Sequence, residues 1–257
     1  AHHNATTIIV AAVLFLIQTY ADFAGYSDMA IGVARVMGIR VMENFKRPFF
    51  AQNIAEYWRN WHISLTQWCT DYIFKPLTVS FRDWGNWGLY LATLINFVII
   101  GAWHGANWTF VLFGVYHGLL LVLVLALDKM RKKFEKKHNL KKNEFYKWSR
   151  RILTFILCAI GMVLWRANSV CDFFETMAQL KKGFGGLFTN GFFAILVFAI
   201  PSIIVMFYDE WLKEYDRKTR FFHHPNVVVR LVSIALMIAW VIYSGELDGN
   251  SFIYFQF

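Results

Sequence analysis

The sequence predicts an all-α protein, a polytopic transmembrane helical bundle with re-entrant or interfacial helices. Three observations predict it. Apolar residues make up 57% of the 257-residue chain and charged residues only 17%, against about a quarter charged in soluble domains. The apolar residues gather in six runs: Thr6 to Tyr20, Leu89 to Trp103, Trp108 to Leu127, Ile152 to Trp165, Phe192 to Tyr208 and Val227 to Tyr243. The formal charge of +9 resides in a single segment, Lys129 to Arg151, which carries 11 basic and 2 acidic residues.

Several runs fall short of the ~20 residues that a perpendicular span needs, so tilting, kinking, re-entry or extension by their flanks is expected. The first can continue through Ala21 to Met37, where Asp22, Asp28 and Arg35 exclude a plain lipid-facing span because isolated charges at mid-membrane are costly. That stretch must face protein or water. It opens a polar region, residues 22–83, in which small residues from Ala21 to Gly38 permit close helix approach. Asp or Ser beside Gly there favours turns and caps. In ENFKRPFF, Pro48 ends whatever precedes it. Lys46 and Arg47 are placed to meet phosphates or lipid headgroups, and snorkelling explains them equally.

The stretch IAEYWRNWHISLTQWCTDYIF has helical period, with Trp58, Trp61, Leu65, Trp68 and Tyr72 on one face. His62 borders that stripe, and Arg59, Asn60, Gln67, Thr70 and Asp71 point away from it. This predicts one amphipathic helix. Periodicity leaves two readings open: a peripheral helix with a tryptophan belt and His62 at headgroup level, or the wall of a polar cavity inside the bundle.

In GAWHGANWTF, His104 lies between Gly101 and Gly105, with Asn107 opening the next run. The glycines predict close approach of backbone and small ligands to the ring. An apolar setting keeps imidazole neutral and able to accept a proton, as a general base must. Taken alone, such a histidine equally reads as a satisfied bridge between two helices, and His117 in VYHG reads that way more strongly.

Loops rich in Lys and Arg stay cytoplasmic. Residues 129–151 are therefore expected as a basic cytoplasmic loop and the Trp103 to Asn107 connection on the other side. Residues 209–226, with Lys213, Arg217, Lys218 and Arg220, return to the cytoplasm. The basic run is read as a topology signal in contact with anionic membrane lipids, and no nucleic-acid partner is expected. Cys69, Cys158 and Cys171 show no paired spacing, so neither a disulfide framework nor a zinc site is indicated. The chain opens AHHNATT, as though cut from something longer.

The order DFAGYSDMAIG, ENFKRPF, YWRNWHISL with its trailing WCTDYIFKPL, then GAWHGANWTFVLFGVYHG resembles the membrane-bound O-acyltransferase family. It is most similar to the bacterial branch that acetylates alginate and peptidoglycan or D-alanylates teichoic acid. The blocks span residues 18 to 118 in the family's order, and the final SFIYFQF is similar to that branch too.

The resemblance implies a helical bundle around a central tunnel. It implies His104 as the catalytic residue and His62 as a second functional position on the donor-facing side, positioning the thioester or relaying a proton. Asn44, Trp58, Trp61 and Asn107 are weaker candidates for shaping the tunnel and binding substrate. Also implied are a bacterial inner-membrane location, acetyl-coenzyme A as the acyl-donor substrate with no bound cofactor or metal, and an extracytoplasmic esterase-like partner that completes transfer to a polysaccharide.

Members of the family are usually much longer. Residues 1–257 are therefore expected as a single membrane domain, the C-terminal half of the fold, with the N-terminal half of the bundle missing or supplied as another chain. After DYIFKPL the branch often carries a glycine pair and an arginine, and in TVSFRDWGNWG the counterparts are Gly85, Gly88 and Arg82. Two other functions stay in view. One is a D-alanyl or lipid O-acyltransferase of the same family. The other is a proton-coupled transporter with Asp22, Asp28, His62 and His104 along a polar pathway.

Overall fold

The computed structural model describes residues 3–186, 195–215 and 224–244. The described residues are helical with no strand, and five helices are long and apolar enough to cross a membrane. They fall into two units, one through Gly185 and one from Gly186 onward.

In the first unit, α1 runs from Ala5 to Val36. Asn4 caps it by accepting the Thr7 amide at 2.9 Å. The polar stretch from Asp22 onward therefore continues the first apolar run, and Gly25, Ser27 and Gly32 lie inside the helix where turns were expected. At 1.5 Å per residue its 32 residues reach about 48 Å, well beyond a hydrocarbon core of about 30 Å. Gly38 stops it at φ +75°: Ile39 N–H donates to Ala34 O and Gly38 N–H to Arg35 O, a Schellman closure.

After a segment without helix, Pro48–Phe50 forms a 3-10 turn, with Pro48 at its start as the ring requires. Then α2 (Ile54–Asn60), α3 (Ile63–Cys69), a π-helical turn (Thr70–Phe74) and α4 (Lys75–Ser80) follow. This corrects the expectation of one continuous amphipathic helix. His62 adopts φ +46°, a left-handed conformation that no α-helix contains, and the chain changes direction there. The tryptophan stripe is split as a result. Trp58 and Trp61 are buried at 5% and 4% exposure, whereas Trp68 and Tyr72 stand out at 55% and 68%.

Helices α5 (Asn86–His104) and α6 (Trp108–Lys137) pack antiparallel and very close. A Cβ on Gly101 would lie 2.2 Å from Phe110 O, and one on Gly114 2.2 Å from Phe97 O. The missing side chains let the two backbones touch, as small residues do in membranes. Before α5, Gly85 supplies a φ of +56° and Gly88 packs on the Phe81 carbonyl, while Arg82 is exposed beside Asp83.

Helix α7 (Glu144–Arg166) returns alongside α6, pinned by Tyr116 Oη donating to Leu157 O at 2.9 Å. Residues 129–151, expected as a loop, are mostly helix: the end of α6, a short turn, and the start of α7. Asn139 at φ +55° turns the chain, and Asn143 caps α7 by accepting the Tyr146 amide. Buried Arg151 donates to Phe50 O at 3.1 Å and lies over the rings of Phe50 and Trp148. A short helix, α8 (Val170–Gln179), follows with Ser169 as its cap.

In the second unit a π-helical turn (Ile195–Ala199) leads into α9 (Ile200–Glu214), and α10 spans Val227–Ser244. Trp240 Nε1 donates to Ser202 Oγ at 3.1 Å. The start of the Phe192 to Tyr208 run, the basic residues Arg217, Lys218 and Arg220, and SFIYFQF lie outside the described residues.

Candidate functional site

His62 sits at the break between α2 and α3 because the neighbouring segment holds it there. Ile63 N–H donates to Asn44 O at 2.9 Å and Lys46 N–H to Asn60 O at 3.0 Å. The Asn44 side chain reinforces this clamp. Its Oδ1 accepts from Ser64 Oγ at 2.6 Å and from Ser64 N at 3.2 Å, and its Nδ2 donates to Ser27 Oγ at 3.2 Å.

The His62 ring is buried, edge-on to Phe23 at 4.6 Å and to Trp103 at 6.2 Å between centroids. Its Nδ1 lies 3.5 Å from Ser64 Oγ, whose own hydrogen is directed to Asn44. Burial pushes the imidazole down to about 4, opposed by a bond to its own backbone, so the ring is neutral near pH 7.

His104 ends α5. Its ring packs on Trp165 at 4.4 Å and on Trp103 at 4.8 Å. Trp103 thus lies beside both histidines. Neither ring nitrogen of His104 has a hydrogen-bond partner among the described residues. The close approach of backbone expected of the glycines occurs at Gly101, and the space beside both glycines is taken by protein. Phe110 and Gly114 occupy the room next to Gly101, and the Phe110 ring occupies that next to Gly105.

The remaining candidates separate. Trp58 Nε1 donates to His117 Nδ1 at 3.2 Å, and His117 is fully buried with its Nε2 against Gly161. His117 therefore ties α2 to α6 and α7. Trp61 stacks on Tyr57 at 5.3 Å within a cluster that includes Tyr20, Phe45 and Phe49. Asn107 caps α6 through Thr109 N and donates to Asn168 O at 2.9 Å. The structure therefore brings His62, His104 and Asn44 into one neighbourhood and places Trp58, Trp61 and Asn107 in supporting contacts.

A cavity of about 390 Å³ lies between α2, α3, α5 and the π-helical turn, with Trp58, Arg59, Gln67, Thr70, Asp71 and Asn96 on its wall. Four of these are residues expected to point away from the stripe toward a polar cavity. Asn96 adds a buried Oδ1 without a hydrogen-bond partner. Ser64, Trp103 and Trp165 were not singled out from sequence. Ser64 carries a weak signal, two residues after His62, whereas Trp165 arrives from 61 positions beyond His104 and has none. Among the described residues no three His, Cys, Asp or Glu side chains gather as a metal group.

Buried His62 and half-buried His104 thus lie against tryptophan rings in a bundle with several helices long and apolar enough to cross a membrane. The chain belongs to MBOAT, the membrane-bound O-acyltransferase family, whose profile matches residues 3–165. It is 36% identical over 184 residues to the "Probable alginate O-acetylase AlgI" of Pseudomonas putida, covering 71% of this chain and 34% of that protein. It is 33% identical over 174 residues to the peptidoglycan O-acetyltransferase of Helicobacter pylori, covering 66% and 30% respectively. With the teichoic acid D-alanyltransferase of Streptococcus thermophilus it shares 35% identity over 146 residues, covering 53% and 35%. The chain spans about a third of the length of these curated relatives.

Proposed function

We propose that this chain carries the histidine-bearing part of an O-acyltransferase of the bacterial inner membrane. In this reading it moves an acetyl group from cytoplasmic acetyl-coenzyme A toward an extracytoplasmic polysaccharide, with an esterase-like partner completing the transfer. The observation that carries the reading is His104: a ring packed among Trp103 and Trp165, with both nitrogens unpartnered among the described residues and His62 also beside Trp103.

A thioester is already activated, so the site need only deprotonate the acceptor, hold it close and exclude water. A nitrogen of His104 takes the proton of the acceptor hydroxyl as its oxygen attacks the thioester carbonyl. The carbon–sulfur bond then breaks, and the leaving thiolate receives that proton from the imidazolium. One ester and one thiol result, and the histidine is regenerated. His62 positions the donor beside Trp103, and the polar cavity with Arg59, Gln67 and Asn96 supports a route for the amide-bearing arm of the thioester.

The similarity to a teichoic acid D-alanyltransferase favours a second donor, a D-alanyl thioester on a carrier protein. Membranes holding the complete protein, supplied in parallel with radiolabelled acetyl-coenzyme A and with a D-alanyl carrier protein, distinguish the two. Label from acetyl-coenzyme A on extracytoplasmic glycan supports the proposal. Transfer from the carrier alone replaces it with the second reading, and transfer from neither rejects both.

A further inference from the structure

Where α6 turns into α7, the hairpin and the start of α2 line an open cavity of about 360 Å³. The apolar course of α6 ends at Leu127, and Arg131 and Lys132 come one turn later, the place in a span's sequence where basic residues meet lipid phosphates. The inner wall is already neutral. Buried Glu135 pairs with Arg150 Nη1 at 2.6 Å and accepts from Tyr146 Oη at 3.1 Å. Arg150 Nε also donates to Gln52 O at 3.0 Å, which fixes the guanidinium. Glu56, the other carboxylate on the wall, accepts from Gln52 N at 2.8 Å in the α2 cap.

What remains around the cavity is cationic. Arg131 and Lys132 share one carboxylate, Asp128, which is not on the wall. Lys147 pairs with Glu144 at 2.7 Å. Lys141 lines the cavity from the connecting turn and has no ion-pair partner among the described residues. Arg131 reaches the wall with a guanidinium whose Asp128 partner lies off it.

We infer that this cavity is a binding site for a phosphate ester, held by Arg131, Lys132 and Lys141 against the fixed Arg150–Glu135 pair. Charge-assisted bonds to phosphate oxygens are the strongest such residues make. Two carriers share this chemistry: an anionic phospholipid headgroup and the phosphate of a soluble nucleotide-bearing thioester such as coenzyme A. The depth of Arg131 just past the apolar end of α6 favours the lipid. None of these residues belongs to the histidine site, so the inference stands independently of the proposed acyl transfer.

The test uses the complete protein in phosphatidylcholine nanodiscs with and without phosphatidylglycerol, read by native mass spectrometry, with adenosine 3′,5′-bisphosphate as the soluble probe. The cavity variant combines Arg131→Gln, Lys132→Gln and Lys141→Gln. A control of equal charge change combines Lys133→Gln, Lys136→Gln and Lys137→Gln, which lie off the cavity wall. Wild type and control are expected to retain phosphatidylglycerol, and the cavity variant to lose about tenfold or more in retention. Lys141→Gln alone, on an exposed turn, gives a smaller loss without disturbing helix contacts. Bisphosphate binding in phosphatidylcholine discs with the same sensitivity assigns the site to the soluble phosphate instead. Equal losses in cavity variant and control, or binding of neither anion, overturn the inference.

Discussion

Asn44 Oδ1 accepts a 2.6 Å hydrogen bond from Ser64 Oγ, across 20 residues of sequence, and this contact holds the left-handed turn at His62 in place. A histidine at φ +46° is strained by about 1–3 kcal/mol and persists only where its surroundings over-determine it. Here the surroundings are Asn44, through its side chain to Ser64 and its carbonyl to Ile63.

Replacing Asn44 with Ala leaves Ser64 unpaired and frees the turn. The expected cost is about 1–3 kcal/mol of stability, together with a lower rate of acyl transfer. Thermal unfolding and transfer assays on the complete protein measure both, and Asn44→Asp, which keeps an acceptor, is expected to recover part of each. An Asn44→Ala protein with unchanged stability and turnover contradicts the clamp.

The α5–α6 contact predicts opposite outcomes for two glycines. Gly114→Ala forces a Cβ to within 2.2 Å of Phe97 O and pushes the helices apart, at a cost of about 1–3 kcal/mol. Gly25→Ala on α1 meets nothing within 4 Å and gains up to about 1 kcal/mol of helix propensity. Melting temperatures should therefore move in opposite directions.

His117 is expected to serve stability alone. His117→Leu and Trp58→Phe each break the 3.2 Å bond between α2 and α6, and a double-mutant cycle should show them coupled by about 0.5–3 kcal/mol. At matched amounts of folded protein, the turnover of His117→Leu should stay close to that of wild type. A thousandfold fall in turnover with normal stability would make His117 a reacting group.

Burial lowers His62 from 6.5 to about 4 in the folded protein. Below 6.5 the unfolded chain binds a proton that the folded chain refuses, so this contribution to stability is complete above 6.5. It is lost as the pH falls from 6.5 toward about 4. His62→Gln should flatten that part of the stability profile. If wild type and His62→Gln lose stability in parallel through this window, the ring is not buried as described.

Much of this was legible in the sequence. The apolar runs located the long helices, and His104 was singled out by the resemblance of GAWHGANWTF to a block of the acyltransferase family, since taken alone the ring reads equally as a bridge between helices. The tryptophan stripe misled for a physical reason. Trp58, Trp61 and Leu65 keep helical spacing across a break, and the left-handed turn at His62 is imposed from Asn44, a contact with no local signature. The glycines around His104 were visible, but what fills the space beside them is α6 backbone and Phe110, set by long-range packing. The basic segment was legible as charge and not as the tip of a helical hairpin, because Lys and Arg suit helix and loop alike.

The most direct measurement is acetyl transfer from radiolabelled acetyl-coenzyme A in membranes containing the complete protein, comparing wild type, His104→Ala and His62→Ala at matched folded abundance. With His104 as the base, His104→Ala should lose about a hundredfold or more, as the removal of a general base does, and His62→Ala should fall by less. His104→Ala transferring acetyl at the wild-type rate would contradict the assignment and leave that ring as a structural histidine between Trp103 and Trp165.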